Sequence, residues 1–276
     1  MKLVYFGDVM GKSGRVGLNV HIPQIIEDLI PDFIMVNGEN AAHGFGITEK
    51  ICSQFFELGV DVITTGNHAW DQREIINYID TEPRLLRPLN YPEHTPGNGL
   101  GIFKARNGAR VFVGQVMGRL FMDSLDDPFV AMDKVLSESK MGEAFDCAIV
   151  DVHAEATSEK MAIGQYLDGR VSMVVGTHSH IPTADAQILK RGTAYQTDLG
   201  MCGDYDSVIG MKPDAAIGRF MKKMPSERLS PSEGEGTVCG VFLEVDDNTG
   251  HAIRIEPIRI GGRLIQHLPQ LTAVIS

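Results

Sequence analysis

The chain has no run of the roughly 18 uninterrupted apolar residues that a membrane-spanning helix needs, so none is expected. Its first residues, MKLVYFGDVMG, carry one lysine and an apolar stretch too short for the core of a signal peptide; they read instead as a first strand. Basic residues are outnumbered, the net charge is −11, and they form no stripe. That argues against affinity for long nucleic acid through counterion release. It leaves room for a small anion, because bound metal ions invert the local field. The four cysteines, Cys52, Cys147, Cys202 and Cys239, form no CxxC pair and are expected as reduced, buried thiols in a cytoplasmic protein. No GxGxxG follows the first strand, which disfavours a dinucleotide-binding domain. With no repeat, low-complexity tract or obvious linker, residues 1–276 are expected to form one domain, and 43% apolar residues suffice for its core.

What is present is alternation. Strand Lys2–Gly7 precedes a helix over Gly14–Leu29, with Pro23 a kink or a late first turn. Strand Phe33–Asn37 follows, then a helix capped by Thr48 and stopped by Gly59. Val60–Thr65 is the third strand, and Asp71 with Glu74 has the spacing of a capping box for the next helix. Residues 84–100 read as an irregular loop. Gly101–Ala105 and Arg110–Val116 read as strands joined by a turn centred on Asn107-Gly108. Phe129–Ser139 and Glu155–Leu167 have helical patterns around a buried strand, Asp146–Val152, with another at Val171–Gly176. From Ala184 short strands (Ala186–Leu189, Thr193–Gln196, Thr237–Val245, His251–Ile260) alternate with turns, and a polar, mobile loop is expected over Pro225–Gly236. Early alternation predicts a mostly parallel sheet, and the tail a mixed or antiparallel one. The expectation is an α/β fold of two packed mixed sheets flanked by helices.

The strand ends share a signature. They carry Gly7-Asp8, Asn37-Gly38-Glu39-Asn40, Gly66-Asn67-His68, Asp151-Val152-His153 and Gly176-Thr177-His178-Ser179-His180. Each alone reads as an ordinary turn, a helix cap or a satisfied core histidine. In open α/β folds, however, ligands gather at the carboxyl ends of strands. The repeated offer of carboxylate, amide and imidazole suits a hard-to-borderline divalent metal, and neighbouring glycines let the backbone approach it closely.

In this order the motifs GD, GEN, GNH, H and GTHSH resemble the calcineurin-like metallophosphoesterases, whose pattern is D-x-H, G-D-x-x-D, G-N-H-[DE], H and G-H-x-H. Two departures stand out. Met10 occupies the place of the first histidine, and Glu39-Asn40 replaces the bridging aspartate region. With these departures, NGENAAHGFGIT, GNHAWD, DVHAEATSEK, GTHSHIPTAD and TDLGMCGDYDSVIG resemble the bacterial YmdB-like cyclic nucleotide phosphodiesterases over nearly the whole chain.

The resemblance implies a four-layer α/β/β/α sandwich with a dinuclear site. Asp8, Glu39, Asn40 and His180 would hold the first metal, with Asn40 standing in for the histidine lost at Met10. Glu39, Asn67, His153 and His178 would hold the second, with Glu39 bridging. Iron or manganese is the usual occupant. A hydroxide shared by the two ions would attack the phosphorus, and His68 would be the general acid for the leaving oxygen. A carboxylate or the substrate phosphate must then offset the effect of the cations on His68, and Asp71 is a candidate. Candidate substrate contacts are His43, Arg15, Asp198 and Tyr205, and the glycines at 44 and 46 suggest a flexible lip. The function expected is hydrolysis of small phosphodiesters, among them 2′,3′- or 3′,5′-cyclic nucleotides. Alternatives are a phosphomonoesterase or protein phosphatase using the same site, or a regulatory binding protein with slow catalysis linked to RNA turnover. A homo-oligomer is compatible with the sequence.

Overall fold

Alternation with a period of two builds the centre of the molecule. In the first strand Leu3 and Tyr5 face one way and Val4 and Phe6 the other, and all four are buried. A strand apolar on both faces must be covered on both. The computed structural model describes residues 1–222 and 227–271. In chain order the elements are β1 (Lys2–Phe6), β2 (Asp8–Val9), α1 (Gly11–Leu29), β3 (Phe33–Asn37), α2 (Glu49–Glu57), β4 (Val62–Thr64), α3 (Ile75–Tyr78), β5 (Leu85–Leu86), β6 (Leu100–Lys104) and β7 (Arg110–Met117). There follow α4 (Pro128–Glu138), β8 (Cys147–His153), α5 (Thr157–Leu167), β9 (Met173–Thr177), β10 (Gln187–Ile188), β11 (Ala194–Gln196), β12 (Met201–Cys202), α6 (Pro213–Lys222), β13 (Val238–Val245) and β14 (Ala252–Ile260).

These strands make two six-stranded mixed sheets, ordered β14-β13-β1-β3-β4-β5 and β10-β11-β9-β8-β7-β6. Between them lies a layer containing Leu3, Tyr5, Met35, Val113, Ile149 and Val175. Outside the first sheet, Leu18, Ile22 and Ile25 of α1 and Phe55 of α2 pack on Val4, Ile34 and Phe242. Outside the second, Met132 of α4 and Ile163 of α5 pack on Phe112, Val150 and Val174. The layering is therefore helix, sheet, sheet, helix, as expected. No helix among the described residues is long and apolar enough to cross a membrane.

Several local expectations hold. Thr48 accepts a hydrogen bond from the Ile51 amide (3.3 Å), and Gly59 turns with φ +92° just past α2. Gly108, at φ +93°, closes the hairpin between β6 and β7. Others are corrected. The tail does not build a sheet of its own: β13 pairs antiparallel with β1, so the last hairpin extends the first sheet. Residues 84–100 include β5, two buried leucines paired parallel with β4. Asp71 caps nothing, since α3 starts at Ile75 and its N-cap position, Glu74, makes no side-chain cap bond. Helix α6 lies where none was expected. Of the loop Pro225–Gly236, Pro225 and Ser226 lie outside the described residues. The rest is pinned to residues 204–212 by Lys212 N–H to Ser230 O (2.9 Å), Ser232 N–H to Gly210 O (2.8 Å) and Gly234 N–H to Asp204 Oδ2 (2.9 Å).

Candidate metal centre

Parallel strands β1, β3, β4, β8 and β9 end on one side of the molecule, which is where the strand-end polar residues meet. Beyond β1 the chain makes a second short pairing, β2 with β12, and this fixes Asp8 opposite Met201. Glu39, Asn40, Asn67, His153, His178 and His180 converge with Asp8 around one buried carboxylate. Ligand atoms of Glu39, His153 and His178 lie within 4.8 Å of one another, and so do those of Asp8, Glu39 and His180. Glu39 belongs to both groups.

The hydrogen-bond network decides which ring nitrogens are free. The Thr177 hydroxyl donates to Asp151 Oδ1 (2.8 Å), so it accepts from His153 Nδ1 (2.8 Å). That proton leaves His153 Nε2 facing Glu39 Oε2 at 3.0 Å and Asn67 Oδ1 at 2.9 Å. Without a proton on Nε2 three acceptors meet there, an arrangement that a metal ion between them would satisfy; with one, the ring itself is the cation facing Glu39. His180 Nδ1 donates to the Ile209 carbonyl (2.8 Å), which turns Nε2 inward toward Asn40 Nδ2 at 3.1 Å. The same amide nitrogen donates to Glu39 Oε1 (2.8 Å). Ligation through the Asn40 oxygen therefore requires the amide to turn over. The His178 amide donates to both oxygens of Asp8 (3.3 and 3.2 Å), and its Nε2 lies 3.3 Å from Glu155 Oε2.

Electrostatics point the same way. Burial, then the charges of Glu39 and Asp198, push the Asp8 carboxyl well above its ordinary range. Burial also opposes ionisation of Glu39, but the facing His153 ring, hydrogen-bonded to it, outweighs burial and holds that carboxyl low. Burial and the neighbouring His153 ring depress His178 to about 3, so it stands neutral with a lone pair to give. Burial likewise lowers His180. Gly66 completes the cradle. A Cβ there would lie 2.3 Å from Glu39 Oε2 and 2.4 Å from His153 Nε2, in the space on which those two atoms converge. Convergent acceptors, neutral imidazoles and buried carboxylates in mutual repulsion all fit divalent cations.

A cavity of about 630 Å³ opens above this floor. His68 stands on its wall, its Nδ1 2.8 Å from Asp71 Oδ2 and its ring edge-on to Phe45 at 5.2 Å. Asp71 thus orients a histidine instead of capping a helix. Met10, in the family's histidine position, joins Met201 and Met211 in an apolar cluster beside the centre.

The candidate substrate contacts separate. His43 is exposed on the loop around Gly44 (φ +89°) and lines an adjoining hollow with Lys212 and Arg228. Arg15 is half-buried in the first turns of α1 and is not among the residues that line the cavity, and its Nε has no hydrogen-bond partner among the described residues. Asp198 is fully buried behind the histidine loop, where it accepts from Lys160 Nζ (2.7 Å), Ser179 N (3.1 Å), Ser179 Oγ (2.7 Å) and Gly200 N (2.8 Å). Tyr205 turns its hydroxyl inward to the His180 carbonyl (3.0 Å). Both support the loop from behind.

The motifs do not single out Asp151, Gln115, Thr177, Lys160 or Glu155. Asp151 is a buried hub that accepts from Tyr5, Thr64 (3.0 Å), Gln115 (2.7 Å) and Thr177. A signal for it exists in the sequence: it stands two residues before His153 in an otherwise apolar strand, hence on the same face. Lys160 falls on the buried stripe of α5 with Ile163, Gly164 and Leu167.

Comparison with known proteins places the chain in a family. The family model described as YmdB-like protein matches residues 4–258. A 2′,3′-cyclic-nucleotide 2′-phosphodiesterase of Bacillus subtilis (strain 168) is 46% identical over 260 residues, covering 94% of this chain and 97% of that protein. The crystal structure of a hypothetical protein from Thermus thermophilus superposes with a TM-score of 0.89 at 41% identity, over 95% of this chain and 100% of that one. That of a novel phosphatase from Mycoplasma pneumoniae gives 0.89 at 35% identity, over 95% and 93%. The chain belongs to the YmdB-like family of metallophosphoesterases.

Proposed function

We propose that the chain is a metal-dependent phosphodiesterase acting on small cyclic nucleotides. The observation that carries this reading is the convergence of two ligand groups on Glu39 at the floor of a cavity whose wall presents His68. Asp8, Glu39, His180 and a turned Asn40 would hold one ion; Glu39, Asn67, His153 and His178 the other. Iron or manganese suits this mixture of oxygen and nitrogen donors. Such ions supply Lewis-acid activation of water and neutralise phosphoryl charge.

The chain's own residues do the rest. Glu39 and Asp8 set the net charge so that a monoanionic diester is accepted. Thr177 and Asp151 hold His153 in one tautomer, and the Ile209 carbonyl does the same for His180. Asp71 takes one nitrogen of His68 and leaves Nε2 as the atom that can give a proton to the leaving oxygen. The name borne by the Bacillus subtilis relative supports the diester reading and 2′,3′-cyclic nucleotides as first choice. The four buried thiols suit a cytoplasmic location.

The test is metal analysis of the purified protein together with a substrate panel: 2′,3′- and 3′,5′-cyclic nucleotides, bis-p-nitrophenyl phosphate and p-nitrophenyl phosphate. Diester turnover that follows metal content is expected. Metal-loaded protein that hydrolyses only the monoester, or nothing, contradicts the reading.

A further inference from the structure

The cavity has two unlike linings: polar groups at the floor around Glu39, and an apolar wall of Met10, Phe45, Val208, Met211, Phe220 and Leu229 beside them. Phe220 is 79% exposed, a large aromatic held at the cavity mouth with little of its surface covered.

The backbone of this wall is already engaged. Val208 and Met211 exchange N–H to O bonds (2.9 and 3.0 Å). The Ile209 carbonyl accepts from His180, the Gly210 amide donates to Ser207 Oγ (2.8 Å), and the Gly210 carbonyl accepts from Ser232. The Phe45 amide donates to Ala42 O (3.1 Å), and its carbonyl accepts from Gln72 Nε2 (2.7 Å). A flat heterocycle entering here meets thioether, aliphatic and aromatic surface, with few hydrogen-bonding groups left to meet its edge. Methionine sulfur and aromatic faces favour such a ring by contact area. Base discrimination of large magnitude requires buried polar groups that the wrong base leaves unpaired, and this wall has spent its own.

We propose that the apolar wall seats the nucleobase of the substrate and reads it by contact area, without distinguishing adenine from guanine. The inference rests on the phosphodiesterase reading above. It also explains why this surface lies beside the metal centre: phosphate on the floor places the base within the same cavity. Ile209, a β-branched residue held at φ +46°, ties the apolar wall to the metal centre through its bond to His180.

The metal-loaded full-length chain is assayed on the 2′,3′-cyclic phosphates of adenosine, guanosine, cytidine and uridine, and on ribose 2′,3′-cyclic phosphate, which has no base. In parallel, calorimetry follows binding of adenosine and guanosine 3′-monophosphates. Adenosine and guanosine substrates are expected within about threefold of each other in kcat/KM. Both should exceed the base-free compound by about tenfold or more. Phe220→Ala and Met211→Ala should each reduce that advantage by roughly three- to tenfold, through KM. Phe220 is exposed enough that its truncation does not threaten folding. A guanine preference above about tenfold, the mark of Arg219 at the rim reading O6 and N7, overturns the proposal. So does an advantage that both variants leave unchanged. If no cyclic nucleotide is turned over, the functional reading fails; equal binding of the two monophosphates, weakened by both variants, then still supports the seat, and its absence overturns it.

Discussion

Lys160→Met is a demanding perturbation of the centre because it touches no candidate ligand. Lys160 is 1% exposed, and its Nζ lies 2.7 Å from Asp198 Oδ2. Methionine keeps the length and apolar stem of the side chain but leaves Asp198 buried without its cation. Removing one partner of a buried pair costs about 3–5 kcal/mol. At about 2–4 °C per kcal/mol for a chain of this size class, the melting temperature should fall by roughly 6–20 °C. The three bonds that Asp198 still accepts from Ser179 and Gly200 place the result toward the lower end. Asp198 holds the amide and hydroxyl of Ser179, the residue between His178 and His180. A displaced carboxylate should therefore lower metal affinity by about 10–100-fold. Differential scanning calorimetry of metal-free protein reads the first effect, and competition with a chelator reads the second. The double variant Lys160→Met/Asp198→Asn removes the orphan charge and should recover part of the stability while metal affinity stays low. A single variant that melts within about 1–2 °C of the parent, with unchanged metal retention, refutes the reasoning.

Other perturbations address neighbouring parts of the site. His68→Ala should retain metal and lose about 10²–10⁴-fold in turnover, measured by metal analysis beside kcat; equal loss of metal would make it a ligand. Asp8→Ala should empty mainly the site formed with His180, leaving close to half the parent metal content by mass spectrometry of the native protein. Gly66→Ala should give folded protein with little bound metal, because its Cβ falls 2.3 Å from Glu39 and 2.4 Å from His153. Burial opposes ionisation of Asp204, but its bonds from Ser232, Asp206 and Gly234 prevail and lower its pKa below the ordinary 3.8. Its stabilisation is therefore present above pH 3.8 and lost as pH falls through the lowered value; Asp204→Asn should flatten that acid limb in a melting-temperature profile.

How much of this is legible in the sequence depends on whether the signal is local. Apolar runs ending in glycine and a polar residue announce the strand ends, and helix caps such as Thr48 announce themselves within four residues. The pairing of β13 with β1 joins positions more than two hundred residues apart, and no local pattern encodes it. Helix α6 escapes notice although Pro213 and Asp214 are good first-turn residues, because the surrounding turns dominate the pattern. Candidate ligands can be named from motifs. Their supports cannot: Asp151 reads as one more strand-end carboxylate until Tyr5, Thr64, Gln115 and Thr177 are seen to converge on it from different strands. Asp71 shows the opposite hazard, since one spacing serves a helix cap and a histidine partner alike.

Every role proposed for these residues requires Glu39 to lie between two metal ions. Anomalous diffraction from crystals of the protein loaded with manganese addresses that placement without intermediaries. Two peaks about 3.5–4 Å apart are expected, one beside Asp8 and His180 and the other beside His153 and His178, with the Glu39 carboxylate touching both. A single peak, or ions bound away from Glu39, would contradict it.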